Sequence, residues 1–213
     1  MKDRIKVRPI FPFIIFLVFL LSLVTVPAPV RGEQHIASEN AVEKWADHFD
    51  ISVLSVEDRK RELEWFRSVS AGLRGRTIRS AAENIETHFW ERDVLSRAFY
   101  ELTGIKVEHH IIPEGQIIRS ITEQMMTGRM IYDIYVNDSD LIGTHVRLAR
   151  VVDLTEYMNN GGRRYTGPFL DLDDFLNLEF GQDYNGHQLQ LPDQQFPILY
   201  WFRYDWFTDP GVR

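Results

Sequence analysis

Residues 105–140 read IKVEHHIIPEGQIIRSITEQMMTGRMIYDIYVNDSD, and their reading decides the fold. Ile105 to Ile112 is read as a strand. Pro113-Glu114 opens a helix that runs to about Met126, with Gly128 just beyond it as a stop. Tyr132 to Val136 (YDIYV) is the next strand. Upstream, Thr77 to Ser80 is a short strand, followed by a helix capped by Thr87 that runs to about Leu102 and ends at Gly104. Downstream, Asp138 to Ala149 is a helix and Val151-Val152 a short fourth strand. Strands alternating with helices of this length indicate βαβ units and a mainly parallel sheet flanked by helices, an α/β fold with right-handed crossovers.

Ligands in open α/β sheets lie outside the carboxyl ends of the strands. The loops at those ends are Ala81–Thr87 (AAENIET) and Asn137–Asp140 (NDSD), both rich in short polar side chains. Asn84, Asn137 and Asp138 are therefore the best-placed polar groups. Residues 33 to 75 read as a helical extension preceding the α/β unit of residues 76–213. Ala41, Val42, Trp45, Ala46 and Phe49 recur at helical spacing. Ser55 before Val56-Glu57-Asp58 is an N-cap with acids in the first turn. Leu63, Trp65, Phe66, Val69 and Leu73 supply the apolar positions of this second helix.

Beyond residue 155 the pattern weakens. Gly161 to Arg164 reads as a turn, and Asp171 to Phe180 (DLDDFLNLEF) as a helix begun by Asp171 or Asp173. Residues 183–207, DYNGHQLQLPDQQFPILYWFRYDWF, hold an Asn-Gly turn, a polar loop and a dense aromatic run. Tyr200, Phe202, Tyr204 and Trp206 alternate with Trp201, Arg203, Asp205 and Phe207, as in a strand packed on both faces. Most of these rings read as core. One or two could face a cleft, with Gln194 and Gln195 of the preceding loop among the best-placed polar groups.

At the other end, Lys2, Arg4, Lys6 and Arg8 precede an apolar core from Phe13 to Val26, then Pro27, Ala28, Pro29 and Gly32. This is the pattern of a secretory signal peptide over residues 1–32, cleaved near Gly32. The rival is a retained anchor, which needs about 20 apolar residues. Export follows from either. The chain has no cysteine, which excludes a lipid-modified Cys and any disulfide framework. The formal charge of −7 becomes −11 without residues 1–32, which carry five basic residues and one acid. So acidic a chain is a poor binder of nucleic acid.

Chemistry-bearing motifs are few. The acids Asp171, Asp173 and Asp174 fail an EF-hand test, because its glycine position holds Leu176 and its last ligand position holds Gln182. His109 and His110 are adjacent in a strand, point to opposite faces, and read as surface or interface histidines. No HExxH or GxSxG motif occurs. No metal, cofactor or catalytic residue is expected. A carboxylate pair for glycoside hydrolysis is a spatial feature that sequence does not single out.

The order of segments resembles the extracellular solute-binding proteins of ABC importers, in the large carbohydrate-binding family that includes maltose-binding protein. The residues that carry the resemblance are LTGIKVEHHIIP, IIRSITEQMMTGRM and YDIYVNDSD, then Gly186, Leu191-Pro192, Gln194-Gln195, Trp201-Phe202, Arg203 and Asp205-Trp206-Phe207. It covers roughly residues 75 to 209. Family members often have Asp where Gln194 stands and Lys where Tyr204 stands. The resemblance implies a periplasmic protein that captures a sugar or polyol, glycerol included, and presents it to a cognate permease in the inner membrane. It implies a monomer that performs no bond chemistry and works by hinge closure. Asn84, Asn137, Asp138 and Gln194 would bind hydroxyls and Trp201 would offer an apolar face. Family members are usually much longer, so the resemblance implies an N-terminal fragment holding most of one lobe and the start of the hinge crossing, with the second lobe largely absent. The alternatives are an exported carbohydrate-active enzyme such as a glycoside hydrolase, and a membrane-anchored scaffold.

Overall fold

A computed structural model describes residues 40–194 and 202–211. Its centre is strand β1 (Thr77–Ala82), flanked by β2 (Lys106–Ile111) on one side and β3 (Ile134–Tyr135) on the other, all parallel. Thr77 is level with Lys106 and Ala82 with Ile111, while Ser80 faces Ile134. The chain leaves β1 toward β2 and then crosses back over β1 to reach β3. Connections in opposite directions place helices on both faces of a parallel sheet. The α/β class and the parallel sheet flanked by helices are as the sequence indicates.

The first crossover is a helix in three consecutive pieces: α3 (Glu86–Trp90), a π-helical turn (Glu91–Leu95) and α4 (Ser96–Thr103). It ends at Gly104, whose φ of 72° is the left-handed value that a residue with a Cβ resists. Gly128 does the same for α5 (Glu114–Thr127), at φ 73°. Gln124 of α5 fastens the entry to β3: its Oε1 accepts from the amides of Ile131 and Tyr132 at 2.7 and 2.8 Å, and its Nε2 donates to the Tyr132 carbonyl at 2.9 Å.

The helical extension holds α1 (Ala41–His48) and α2 (Val56–Val69). Ser55 caps α2, its hydroxyl accepting from the Asp58 amide at 3.1 Å. Ala41, Val42, Trp45, Ala46 and Phe49 are all buried, as their spacing requires, and join Leu63, Phe66, Ile78, Leu95, Ala98, Phe99, Leu102 and Ile105 in one core. The extension and the α/β unit therefore share a hydrophobic core. Glu101 of α4 fixes α1 against it, accepting from the Trp45 indole at 2.8 Å and from the Lys44 ammonium at 2.6 Å. On α2, Arg59 and Glu62 are buried too. The Arg59 guanidinium donates to the Leu54 carbonyl at 3.2 Å, whereas Glu62 Oε2 has no hydrogen-bond partner among the described residues. Burial pushes the Glu62 carboxyl up to about 7. The opposite face of the sheet has a smaller core of Ala81, Ile117, Ile121, Met125 and Tyr132.

Several sequence expectations need correction. The helix after β1 begins at Glu86, and its N-cap residue Ile85 makes no side-chain cap bond. Thr87 lies inside the first turn and its hydroxyl donates elsewhere, to Gln194. Val151-Val152 is not a strand: Ala149 takes a left-handed φ of 50°, which turns the chain away from the sheet, and Val152 is 47% exposed. The chain continues into α6 (Ile142–Leu148) before this point and α7 (Leu154–Asn159) after it. The helix expected over Asp171–Phe180 is instead two 3₁₀ turns, Leu172–Asp174 and Leu178–Gly181, separated where Asn177 takes a φ of 54°. The expected strand of aromatics is a short helix α8 (Tyr204–Thr208). Arg203 pairs with Asp205 two residues on and lies over the Trp206 ring at 5.1 Å, local contacts that an extended chain does not favour. Tyr204 is 72% and Phe207 61% exposed, so the described rings of this run are not core. Tyr200 and Trp201 lie outside the described residues.

Candidate functional site

The carboxyl ends of β1 and β3 stand side by side, with the Val136 amide donating to the Ala81 carbonyl at 2.8 Å. Asn84 follows β1 by two residues and Asn137 follows β3 by two. Both thus sit at the edge where the fold admits a ligand. Asn84 and Asp138 are exposed and Asn137 is half-buried, its amide donating to the Asp138 carbonyl. Among the described residues no hydrogen bond links the three side chains to one another. Nearby, the Tyr135 hydroxyl and His145 Nε2 are 3.0 Å apart. Burial pushes the Tyr135 phenol up to about 12 and lowers His145, with Gln190 pulling His145 the other way. At neutral pH the pair is an uncharged hydrogen bond beneath the edge.

Residues 183–194 form a strap that runs from α7 to the start of α3. It begins at the predicted Asn-Gly turn, where Gly186 has a φ of 83° and the Asp183 amide donates to the His187 carbonyl at 2.9 Å. Gln188 then ties it to α7: the Leu154 amide donates to the Gln188 carbonyl and the Gln188 amide donates to Thr155 Oγ1, both at 2.8 Å. Its tip, Asp193-Gln194, lands on α3. Thr87 Oγ1 donates to Gln194 Oε1 at 2.7 Å, and Gln194 Nε2 lies 3.2 Å from His88 Nε2. The polar loop from Asp193 is thus brought against the start of α3, just beyond the loop that carries Asn84. Gln195 and Trp201 lie outside the described residues.

Under the strap tip is a polar cluster the sequence reading did not find. The His88 side chain is wholly buried, with Nδ1 2.9 Å from the Glu83 carbonyl and Nε2 3.4 Å from Asp193 Oδ2. Glu91, three residues on along the same helix face, is 9% exposed at its side chain. His109 of β2 is 5% exposed at its side chain, with Nδ1 2.8 Å from Ser80 Oγ and Nε2 3.5 Å from Glu91 Oε2. The reading of His109 as a surface or interface residue is therefore corrected: its strand position faces the helix α3, while His110 on the opposite face is exposed. Burial alone would lower His88, but Asp193 and the Glu83 carbonyl outweigh it and hold the imidazole above its ordinary value. Burial raises Glu91; His109 opposes that and the nearby Asp193 adds to it. The available signal was His88-x-x-Glu91 in a predicted helix, a pair that one helix turn must bring together. Ser80 and Asp193 could not be assigned to it without the strand register and the strap.

No protein-family model matches this chain, and no curated protein matches it. Among solved structures, one similar chain is a solute-binding protein of an ABC transporter from Agrobacterium radiobacter K84, in complex with ribitol. The likeness has a TM-score of 0.48 at 24% identity and covers 56% of this chain and 29% of that one. This chain thus matches less than a third of that protein's length. The site described above rests on this chain's own residues.

Proposed function

We propose that this chain is a substrate-binding component of an ABC uptake system that captures a sugar or polyol at the carboxyl edge of its sheet and delivers it to a membrane permease. The observation that supports this reading is that the Asn84 loop after β1 and the Asn137-Asp138 loop after β3 leave adjacent strand ends, with the Asp193-Gln194 tip of the strap bonded to Thr87 and His88 just beyond the first of them. Short amides and carboxylates supply directed hydrogen bonds to hydroxyls, as binding sites of this kind require. Binding without bond chemistry suits the exposed, mutually unbonded side chains of Asn84 and Asp138, which are free to turn toward a ligand. The sequence resemblance to the carbohydrate-binding family supports the same ligand class. Hydrogen-bonded as it is to Thr87, Gln194 is a residue that positions the edge as well as lining it.

Among the described residues no helix is long and apolar enough to cross a membrane. The signal peptide expected over residues 1–32 lies outside the described residues, and both it and export to the periplasm are part of the proposal. A thermal-shift screen of the full chain tests the ligand class. A ligand that binds the folded state raises the melting temperature in proportion to the logarithm of its concentration. Sugars or polyols should do so, and amino acids should not. A shift with amino acids and none with sugars or polyols would overturn the reading.

A further inference from the structure

We propose that His88, Glu91 and Asp193 form a binding site for a zinc-class divalent cation, which would clamp the strap tip to α3. One ligand atom from each of the three lies within 4.8 Å of the others. Ligands held at about 2.0–2.2 Å around tetrahedral zinc stand roughly 3.3 Å apart. His88 Nε2 and Asp193 Oδ2, at 3.4 Å, already have that separation, so only Glu91 must draw in.

The surroundings fit a metal in three further ways. First, His88 Nδ1 lies 2.9 Å from the Glu83 carbonyl, which can only accept, so Nδ1 carries the hydrogen. When the ring is neutral its Nε2 lone pair then faces the cluster, the outer-shell arrangement of metal-ligating histidines. Second, His109 Nε2 is buried, has no hydrogen-bond partner among the described residues, and stands 3.5 Å from Glu91 Oε2. With Nδ1 at 2.8 Å from Ser80 Oγ, it is a ready fourth ligand or a brace for Glu91. Third, Asp193 Oδ1 is also buried without a partner. Two buried carboxylates this close are costly unless a cation neutralises them. Imidazole with carboxylate oxygens is a donor set suited to zinc and its transition-metal neighbours rather than to calcium. Glu91 opens the π-helical turn, a distortion that often marks a functional position.

The cation would act on the strap: among the described residues, the strap tip is otherwise held to α3 by the hydrogen bonds of Gln194 to Thr87 and of Gln194 and Asp193 to His88. This proposal stands apart from the ligand class proposed above, since zinc binding and sugar binding are read separately. The full-length chain, stripped of metal by chelation, is titrated with zinc in competition with a chromogenic chelator. One equivalent should bind, and His88→Ala and Asp193→Ala should each weaken binding tenfold or more. Glu91→Gln, which preserves shape, should act in the same direction. His187→Ala, which removes the exposed His187–Asp153 pair, should leave binding unchanged. Circular dichroism of each variant confirms that it is folded. No zinc uptake, or uptake unchanged in folded Glu91→Gln and His88→Ala, would overturn the site, as would its loss in His187→Ala.

Discussion

The two faces of the sheet differ in what they bury. Among the described residues, the face covered by α1, α2, α3 and α4 has a core cluster of thirteen buried apolar residues, and the face covered by α5 has one of five. The richer face also buries most of the polar groups: Arg59 and Glu62 on α2, and His88, Glu91 and His109 near the strap. The poorer face ends in exposed Met126 and Met130. A thick apolar core lets one face carry costly buried charges at its margin. The thin one buries an uncharged pair instead, His145 hydrogen-bonded to Tyr135. Stability and the candidate metal cluster are thus concentrated on the same side of β1.

The largest expected effect comes from removing a ring from the richer face. Phe99→Ala should cost about 3–5 kcal/mol in urea denaturation, and Ile121→Ala on the poorer face nearer 2 kcal/mol. A larger loss at Ile121 would break the comparison. The next effect is electrostatic. Glu62 binds its proton more tightly in the folded state, with its carboxyl pushed up to about 7. Its contribution is therefore fully present below the ordinary carboxylate range and lost as pH rises toward 7. Glu62→Gln should flatten this slope and stabilise the protein by up to roughly 3 kcal/mol at pH 8, with little change at pH 4. Melting curves at the two pH values check the sign. Glu101→Ala leaves the buried Trp45 indole without its acceptor and should cost about 1–3 kcal/mol. Smallest is the cap: Ser55→Ala should cost about 1 kcal/mol.

The helices that cover both faces were legible in the sequence. Trp45, Phe49, Leu63 and Phe66 announce themselves by helical spacing, because a helix must bury one stripe. Gly104 and Gly128 mark helix ends because the left-handed conformation there favours glycine. The strap and the aromatic run were not legible in the same way. Their course is set by side-chain contacts between distant residues, such as Gln188 with Thr155, or by local pairs such as Arg203 with Asp205, and neither leaves a period. Asp171–Phe180 has the composition of a helix, yet Asn177 turns left-handed in its middle. Asn84, Asn137 and Asp138 could be placed at the edge from strand order alone. The cluster of His88, Glu91, His109 and Asp193 needed the register of Ser80 with His109 and the landing of the strap, which only the folded chain supplies.

The central claim is that a sugar or polyol binds at the carboxyl edge between β1 and β3. Isothermal titration calorimetry of the full chain, alongside Asn84→Ala and Asn137→Ala, tests it most directly. Saturable heat from a sugar or polyol, weakened about tenfold or more by each substitution while the melting temperature holds, is the predicted result. Binding that neither substitution alters, or heat from no sugar or polyol, would contradict it.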